Sequence, residues 1–223
     1  MGSMPTTKRS RPSQPRAIAT PAAIVRGAAK AFVKLGYAAA SLAAIGKETK
    51  ISNGALYFHF ETREAVALAV LDEYQSIVRE MVATEAARER SALETLMCIS
   101  FSFTKLIQRN VIVQAGLVLS IERSNLPASA SQQAYDTWVS QISTAIVMGQ
   151  QQGDVRDDVD TRALSELISA TFTGIQLMSA TVSKHRDLVE RVHSSWALLL
   201  PSIVSIERLS AARESLARIS PHS

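Results

Sequence analysis

From Pro21 onward, apolar residues return at every third or fourth position, the period of a helix with one buried face. Ile24, Ala28, Phe32 and Leu35 mark the first such face, Pro21 suits its first turn, and Gly36 ends it. Ser41 stands where it would cap a short helix to about 48, and Ser52 where it would cap another to about 58, with only Thr49 to Ile51 between them. After Glu61-Thr62 a long helix is predicted over about 63–87, with Val66, Val70, Ile77, Val78 and Met81 facing a core. Further helices are predicted at about 91–108, 111–121, 128–152, 160–182 and 186–207. The breaks between them fall at Arg109-Asn110, Asn125-Leu126-Pro127, Gly153-Asp154 and Lys184-His185. The expected fold is all-α, with about nine helices.

Composition agrees with that pattern. Apolar residues make up 47% of the 223, enough for a sizeable core, while aromatic residues are 5%, Gly 9 and Pro 7, which favours packed helices over a many-turned β fold. Residues 1–20 have no hydrophobic period and are rich in Ser, Thr, Pro, Lys and Arg, so a flexible basic arm is expected there. Residues 21–66 are expected to form a small domain, 67–210 a larger one, and 211–223 a tail. Cys98 is the one cysteine, so no intrachain disulfide is available. No secretory signal is visible in the first twenty residues, and no apolar run approaches the ~20 residues that span a bilayer, so a cytoplasmic location is expected.

Charge separates the two parts. Residues 1–63 hold ten Lys and Arg against Glu48 and Glu61, a net +8, whereas the remaining 160 residues hold fourteen against eighteen acids, a net −4. A positive half of this density suits a polyanion that the acidic half would repel. Within it, Leu42, Ile45, Ile51 and Leu56 can form the small core that sets two short helices at a steep angle, as a helix-turn-helix requires. The second helix, Ser52-Asn53-Gly54-Ala55-Leu56-Tyr57-Phe58-His59-Phe60, would then be the recognition helix. Gly54 and Ala55 remove bulk where backbone must approach DNA, and Asn53 offers both a donor and an acceptor. Tyr57 offers a hydroxyl and His59 a ring N–H to phosphates, while Lys47, Lys50 and Arg63 add positive charge. Ser41 and Ser52, at the starts of the two helices, complete the candidate DNA-facing set. Taken singly, Tyr57 and Phe58 also read as core aromatics and His59 as a structural histidine; their spacing behind a basic arm favours DNA.

Ala28-Ala29-Lys30-Ala31-Phe32 with Gly36-Tyr37, Ser41-Leu42 with Ile45, and Gly54 to Phe60 with Arg63-Glu64 together resemble the tetracycline-repressor family of transcriptional regulators. Gly46 stands where that family usually has Ala, and Arg63 where it usually has Lys. The stretches Phe172 to Ser179, Arg186 to Val192 and Leu200 to Ile203, with Trp138, are similar to the γ-butyrolactone autoregulator receptors within the family, over roughly residues 22–210. The resemblance implies a homodimeric repressor that holds operator DNA and is released by a small signalling molecule, with the last two long helices forming the dimer surface. It also implies that Gln75 and a threonine near Thr171 or Thr173 bind the head of the ligand and that Trp138 covers the pocket, with Tyr74 and Tyr135 as further candidates.

An apolar cavity with a few orienting polar groups is what such a lactone or furan needs. Trp138 also reads as a core anchor, and Thr171 as bonding its own helix backbone. A sensor of unrelated lipophilic compounds controlling an efflux pump is the alternative within the family, and a helical adaptor the alternative outside it. No catalytic or phosphate-loop motif is present, and His59, His185, His193 and His222 have no ligand-like spacing with Cys98 or one another. Neither enzymatic activity nor a cofactor or metal is expected.

Overall fold

A computed structural model describes residues 21–49, 51, 53–122 and 128–220. Among these the chain is helical, in the order α1 (Pro21–Ala39), α2 (Leu42–Thr49), α3 (Asn53–His59), α4 (Arg63–Ala86), α5 (Ala92–Arg109), α6 (Val111–Glu122), α7 (Ala128–Gln151), α8 (Thr161–Ser183), α9 (Leu188–Ile203) and α10 (Leu209–Ile219). The expected basic arm at 1–20 lies outside the described residues. Side-chain caps start several helices: Ser41 accepts from the Ala44 N–H at 3.2 Å, Thr62 from Ala65 at 3.0 Å, Ser91 from Glu94 at 3.3 Å and Asp160 from Ala163 at 2.9 Å. Gly36, at φ 74° and ψ 165°, breaks α1 in a conformation that side-chain-bearing residues rarely adopt.

Two departures from the sequence pattern lie at the C-terminus. The last predicted helix was expected to reach 207 and the chain beyond 210 to be a tail. Instead α9 ends at Ile203, two residues after Pro201, whose ring cannot continue the backbone ladder, and Val204 is extended. The chain then forms a tenth helix, α10, in which Leu216 is buried while Leu209, Ala212 and Ile219 pack against the main core. Those four residues keep a helical period that was legible in the sequence.

There are two cores, and they do not divide where the sequence suggested. One gathers Ile24, Ala28, Phe32, Ile45, Leu56, Val66 and Val70 with Ile112, Ala115 and Leu119 of α6. Helix α6, distant in sequence, therefore completes the small N-terminal core. The other core holds Phe101, Ile107, Ile146, Leu164, Val192, Trp196 and Leu200 from α5 and α7 to α9. Trp196 also donates its Nε1–H to Ser100 Oγ at 3.1 Å. Tyr74 and Ile77 of α4 touch both cores, so α4 is the shared beam.

The α8–α9 corner is held electrostatically. Lys184 and His185 both have positive φ there, 54° and 63°. Asp187 accepts hydrogen bonds from the Ser179 and Ser183 hydroxyls and from Arg191 Nε at 2.7 Å. These donors, the two serines first, hold its carboxyl well below the usual carboxylate range. A carboxylate whose folded pKa is depressed stabilises the fold above its unfolded pKa of about 3.9, and that contribution drains as pH falls toward the folded value. Asp187→Asn is therefore expected to melt below wild type at pH 7, with the gap closing below about pH 4. Paired thermal melts between pH 7 and 3 check this; a gap independent of pH would mean that the charge contributes nothing.

Candidate functional site

The N-terminal unit is built so that one face of α3 is free. Leu56 is fully buried in the same core as Ile45 and Val66, which fixes the pose of the helix against α2. The turn before it is organised by Thr49, whose hydroxyl donates to the Gly46 carbonyl at 3.0 Å and accepts from the Ile51 N–H at 3.3 Å. Gly27 of α1 lies against this turn so closely that a Cβ there would meet Thr49 Cγ2 at 2.2 Å. With Leu56 pointing inward, the helical turn sends Tyr57 and Phe58 outward, 55% and 85% exposed. The Phe58 and His59 rings meet edge to face, with centroids 5.2 Å apart. Neither Tyr57 nor Phe58 is a core aromatic. Phe58, absent from the sequence-based set, is the most exposed ring of the two; its apolar type had argued for burial.

Gly54 is exposed, and a Cβ added there would meet nothing within 4 Å. The protein's own packing does not require a glycine at this position. Lys47 is exposed. Lys34 is engaged by Glu48, whose carboxyl is held low by that hydrogen bond and by the charges of Lys34, Lys30 and Lys47. Ser41 is exposed and already serves as the α2 cap. Lys50 and Ser52 lie outside the described residues, as do the side chains of Asn53, Ala55 and Tyr135.

Arg63, expected among the DNA-facing cations, makes contacts within the protein. Its Nη1 donates to the Tyr37 carbonyl at 3.1 Å and the Ala38 carbonyl at 3.0 Å, and its guanidinium carbon sits 4.3 Å from the Tyr37 ring centroid. It is bound to the protein itself.

In the larger domain, Trp138 of α7, Phe103 of α5 and Phe172 of α8 form an aromatic trio. Phe103 stacks on Phe172 at 5.5 Å and lies 6.0 Å from Trp138. Trp138 is half-buried. Thr171 is half-buried next to Phe172, whereas Thr173 is exposed and donates to the Ser169 carbonyl of its own helix at 2.9 Å. Gln75, expected to reach the pocket from α4, is instead exposed. One residue is 100° of helix, and Tyr74 and Val78 hold the inward positions. Tyr74 packs its ring on Gly116 of α6, and burial pushes its phenol up to about 12, so the hydroxyl stays protonated at any ordinary pH. A separate surface groove of about 630 Å³ runs between α7 and α8, past Val139, Val147, Met148, Arg162 and Glu166; none of the trio lines it.

Along α8, Leu167, Leu177, Met178 and Val182 are at least half exposed, and Gly174 among them faces open space. Leu198 of α9 is 79% exposed. Among the described residues, no single helix is long and apolar enough to cross a membrane.

A small helix-turn-helix with an exposed face, carried by a larger helical domain with its own core and an aromatic cluster, defines the architecture of a one-component DNA-binding regulator. Comparison with known proteins agrees. Residues 24–70 match the family described as bacterial regulatory proteins, tetR family, and residues 90–205 match the tetracyclin repressor-like C-terminal domain. The chain belongs to the TetR family.

It is 35% identical over 190 residues to the A-factor receptor protein of Streptomyces griseus, a match covering 85% of this chain and 66% of that protein. Its fold is similar to that of a γ-butyrolactone receptor described as ArpA-like, with a TM-score of 0.79, 24% identity and coverage of 91% of this chain and 96% of the other. CprB of Streptomyces coelicolor, solved in complex with its operator sequence, is similar in fold at a TM-score of 0.77, with 23% identity and coverage of 91% and 96%.

Proposed function

We propose that this protein is a ligand-responsive transcriptional repressor that binds a palindromic operator as a homodimer and is released by a small diffusible signal of the γ-butyrolactone, butenolide or alkyl-furan type. The observation that carries the reading is the face of α3. A glycine that no packing demands, and two rings held outward by a fully buried Leu56, form a surface with no purpose inside the molecule. Asn53, Gly54, Ala55, Tyr57 and His59 would meet the DNA, with Phe58 added for apolar contact to a thymine methyl, and Lys47, Lys50, Ser41 and Ser52 at its edge. Two such helices must be set about one turn of DNA apart, ~34–36 Å, which requires a dimer. The apolar stripe of α8, with Leu198 of α9, is suited to be that interface.

The signal would enter beside Phe103, Trp138 and Phe172, with Thr171 and Tyr74 as candidate polar partners. Release follows if the ligand prefers an α4 position that the operator disfavours, since α4 belongs to both cores. A hundredfold loss of operator affinity needs only ~2.7 kcal/mol of that preference. Control of secondary-metabolite genes, and a cytoplasmic location, accompany this reading.

The test is a mobility shift on promoter DNA at physiological salt with nonspecific competitor, titrated with γ-butyrolactones and alkyl furans in turn. A specific complex released by one class, with Trp138→Ala needing at least about tenfold more ligand, is the expected result. Release by many unrelated lipophilic compounds would favour a drug sensor, and no specific complex on any fragment would overturn the repressor reading.

A further inference from the structure

Most polar side chains buried in the larger domain have partners within the protein. Thr104, beside Phe103 on α5, donates to the Ser100 carbonyl at 2.8 Å; Ser165 donates to the Thr161 carbonyl at 2.6 Å, and Ser179 to Asp187. Glu85 accepts from Ser102 at 2.7 Å and from Arg90 at 3.0 Å. Gln176 of α8 departs from this pattern: it is 6% exposed, yet its amide makes no hydrogen bond among the described residues. An amide offers one acceptor and two donors, and burying them without partners is a cost that folds ordinarily avoid. The unpartnered side-chain atoms sealed from solvent among the described residues are Arg90 Nη1, Asp154 Oδ2, His185 Nδ1 and Ser220 Oγ, and the Gln176 amide is not one of them. It therefore keeps an opening at the polar end of an otherwise enclosed residue.

That opening lies beside the aromatic trio. Ser165, Phe172, Gln176 and Ser179 fall on one stripe of α8, and Gln176 stands one helical turn beyond Phe172, the ring that stacks on Phe103 next to Trp138. The cations of the three helices that carry the trio, Lys105, Arg109 and Arg162, are all exposed, so none of them offsets the cost of burying a carboxylate beside the rings. We infer that Gln176 is a specificity-determining residue of the signal site: its amide holds the uncharged polar head of a lactone, donating to the ring carbonyl and accepting from a hydroxyl next to it, while the trio covers the apolar tail. The inference rests on the ligand-binding reading above and narrows it to a neutral head group. Because the amide has no partner in the free protein, its removal acts on the ligand and not on the fold.

The experiment is calorimetric titration of the full-length protein with three probes. They are an α-octyl-γ-butyrolactone bearing a hydroxyl on the first carbon of its chain, the same lactone without that hydroxyl, and the carboxylic acid made by opening the ring of the first. The wild type is expected to bind the hydroxylated lactone about tenfold more tightly than the plain one, the worth of one buried hydrogen bond, and the acid at least about a hundredfold more weakly than either. In Gln176→Met, an apolar side chain of the same length, the preference for the hydroxyl disappears, and the ligand-free protein melts at or above the wild-type temperature. Gln176→Leu is the second variant and follows the same pattern. A preference absent from the wild type, or kept in either variant, would overturn the assignment. Ligand-free variants that both melt well below wild type would also overturn it, since they would give the amide a role in the fold, and an acid bound as tightly as the lactones would overturn the neutral head. A wild type that binds none of the three would instead overturn the lactone reading itself, and the assignment of Gln176 with it.

Discussion

Met178→Asp is expected to split the dimer and to cost about thirtyfold to five-thousandfold in operator affinity. Met178 lies in the exposed stripe of α8, eleven residues after Leu167 and four after Gly174, so all three share one line along the helix. A line of large apolar side chains left in water is what a soluble helix covers by association. In a two-fold interface each substitution appears twice, so two aspartates would be buried near one another without a cation, a penalty of several kcal/mol. Specific operator binding exceeds nonspecific binding by about 4–10 kcal/mol, and a monomer engaging one half-site loses roughly half of it. Sedimentation velocity and a mobility shift on the same sample check both consequences. Leu68→Asp, at an exposed apolar residue of α4, is the control and should remain dimeric. A dimer of unchanged operator affinity in Met178→Asp would place the interface elsewhere.

Gly116→Ala carries the second large effect. A Cβ at 116 would lie 2.3 Å from Tyr74 Cγ, 2.6 Å from Cδ2 and 2.7 Å from Cβ. These atoms are the root of the ring, not its far end, so no small rotation relieves the clash and α4 must part from α6. Overpacking of this kind costs about 1–3 kcal/mol; in a protein of this size each kcal/mol lowers Tm by roughly 2–4 °C, so a fall of about 5–10 °C is expected. Because Ile112, Ala115 and Leu119 tie α6 into the N-terminal core, the displacement should also weaken operator binding. Gly116→Ala with Tyr74→Ala should cost clearly less than the sum of the two single changes, since removing the ring vacates two of the three clashing positions. Urea unfolding of the four proteins of this cycle measures that coupling. Additive losses would mean that the ring is not what Gly116 accommodates.

Much of the local order was legible in the sequence, and in physical terms it had to be. The periods of Ile24 to Leu35 and of the long linking helix, the serine and threonine caps, and the stop at Gly36 depend on residues within a turn or two of one another. The pattern Gly54 to Phe60 on a basic half pointed to the recognition helix for the same reason, since a seven-residue helix fixed by one buried leucine presents its remaining residues outward. The tenth helix was also legible in the helical period of Leu209, Ala212, Leu216 and Ile219.

What the sequence could not decide depends on contacts between segments far apart in the chain. That Arg63 bonds the Tyr37 and Ala38 carbonyls, more than twenty positions earlier and within 3.1 Å, is decided by the fold and not by local sequence. Gln75 and Tyr74 are neighbours on one helix, and only the placement of α6, with the glycine that admits Tyr74's ring, turns one inward and leaves the other exposed. The sequence by itself determined the first eight helices and most of their ends, because these follow from local periodicity and capping. Tertiary structure alone decided that α6 completes the N-terminal core and that α4 joins both cores, because burial is settled by which distant surfaces exclude water together.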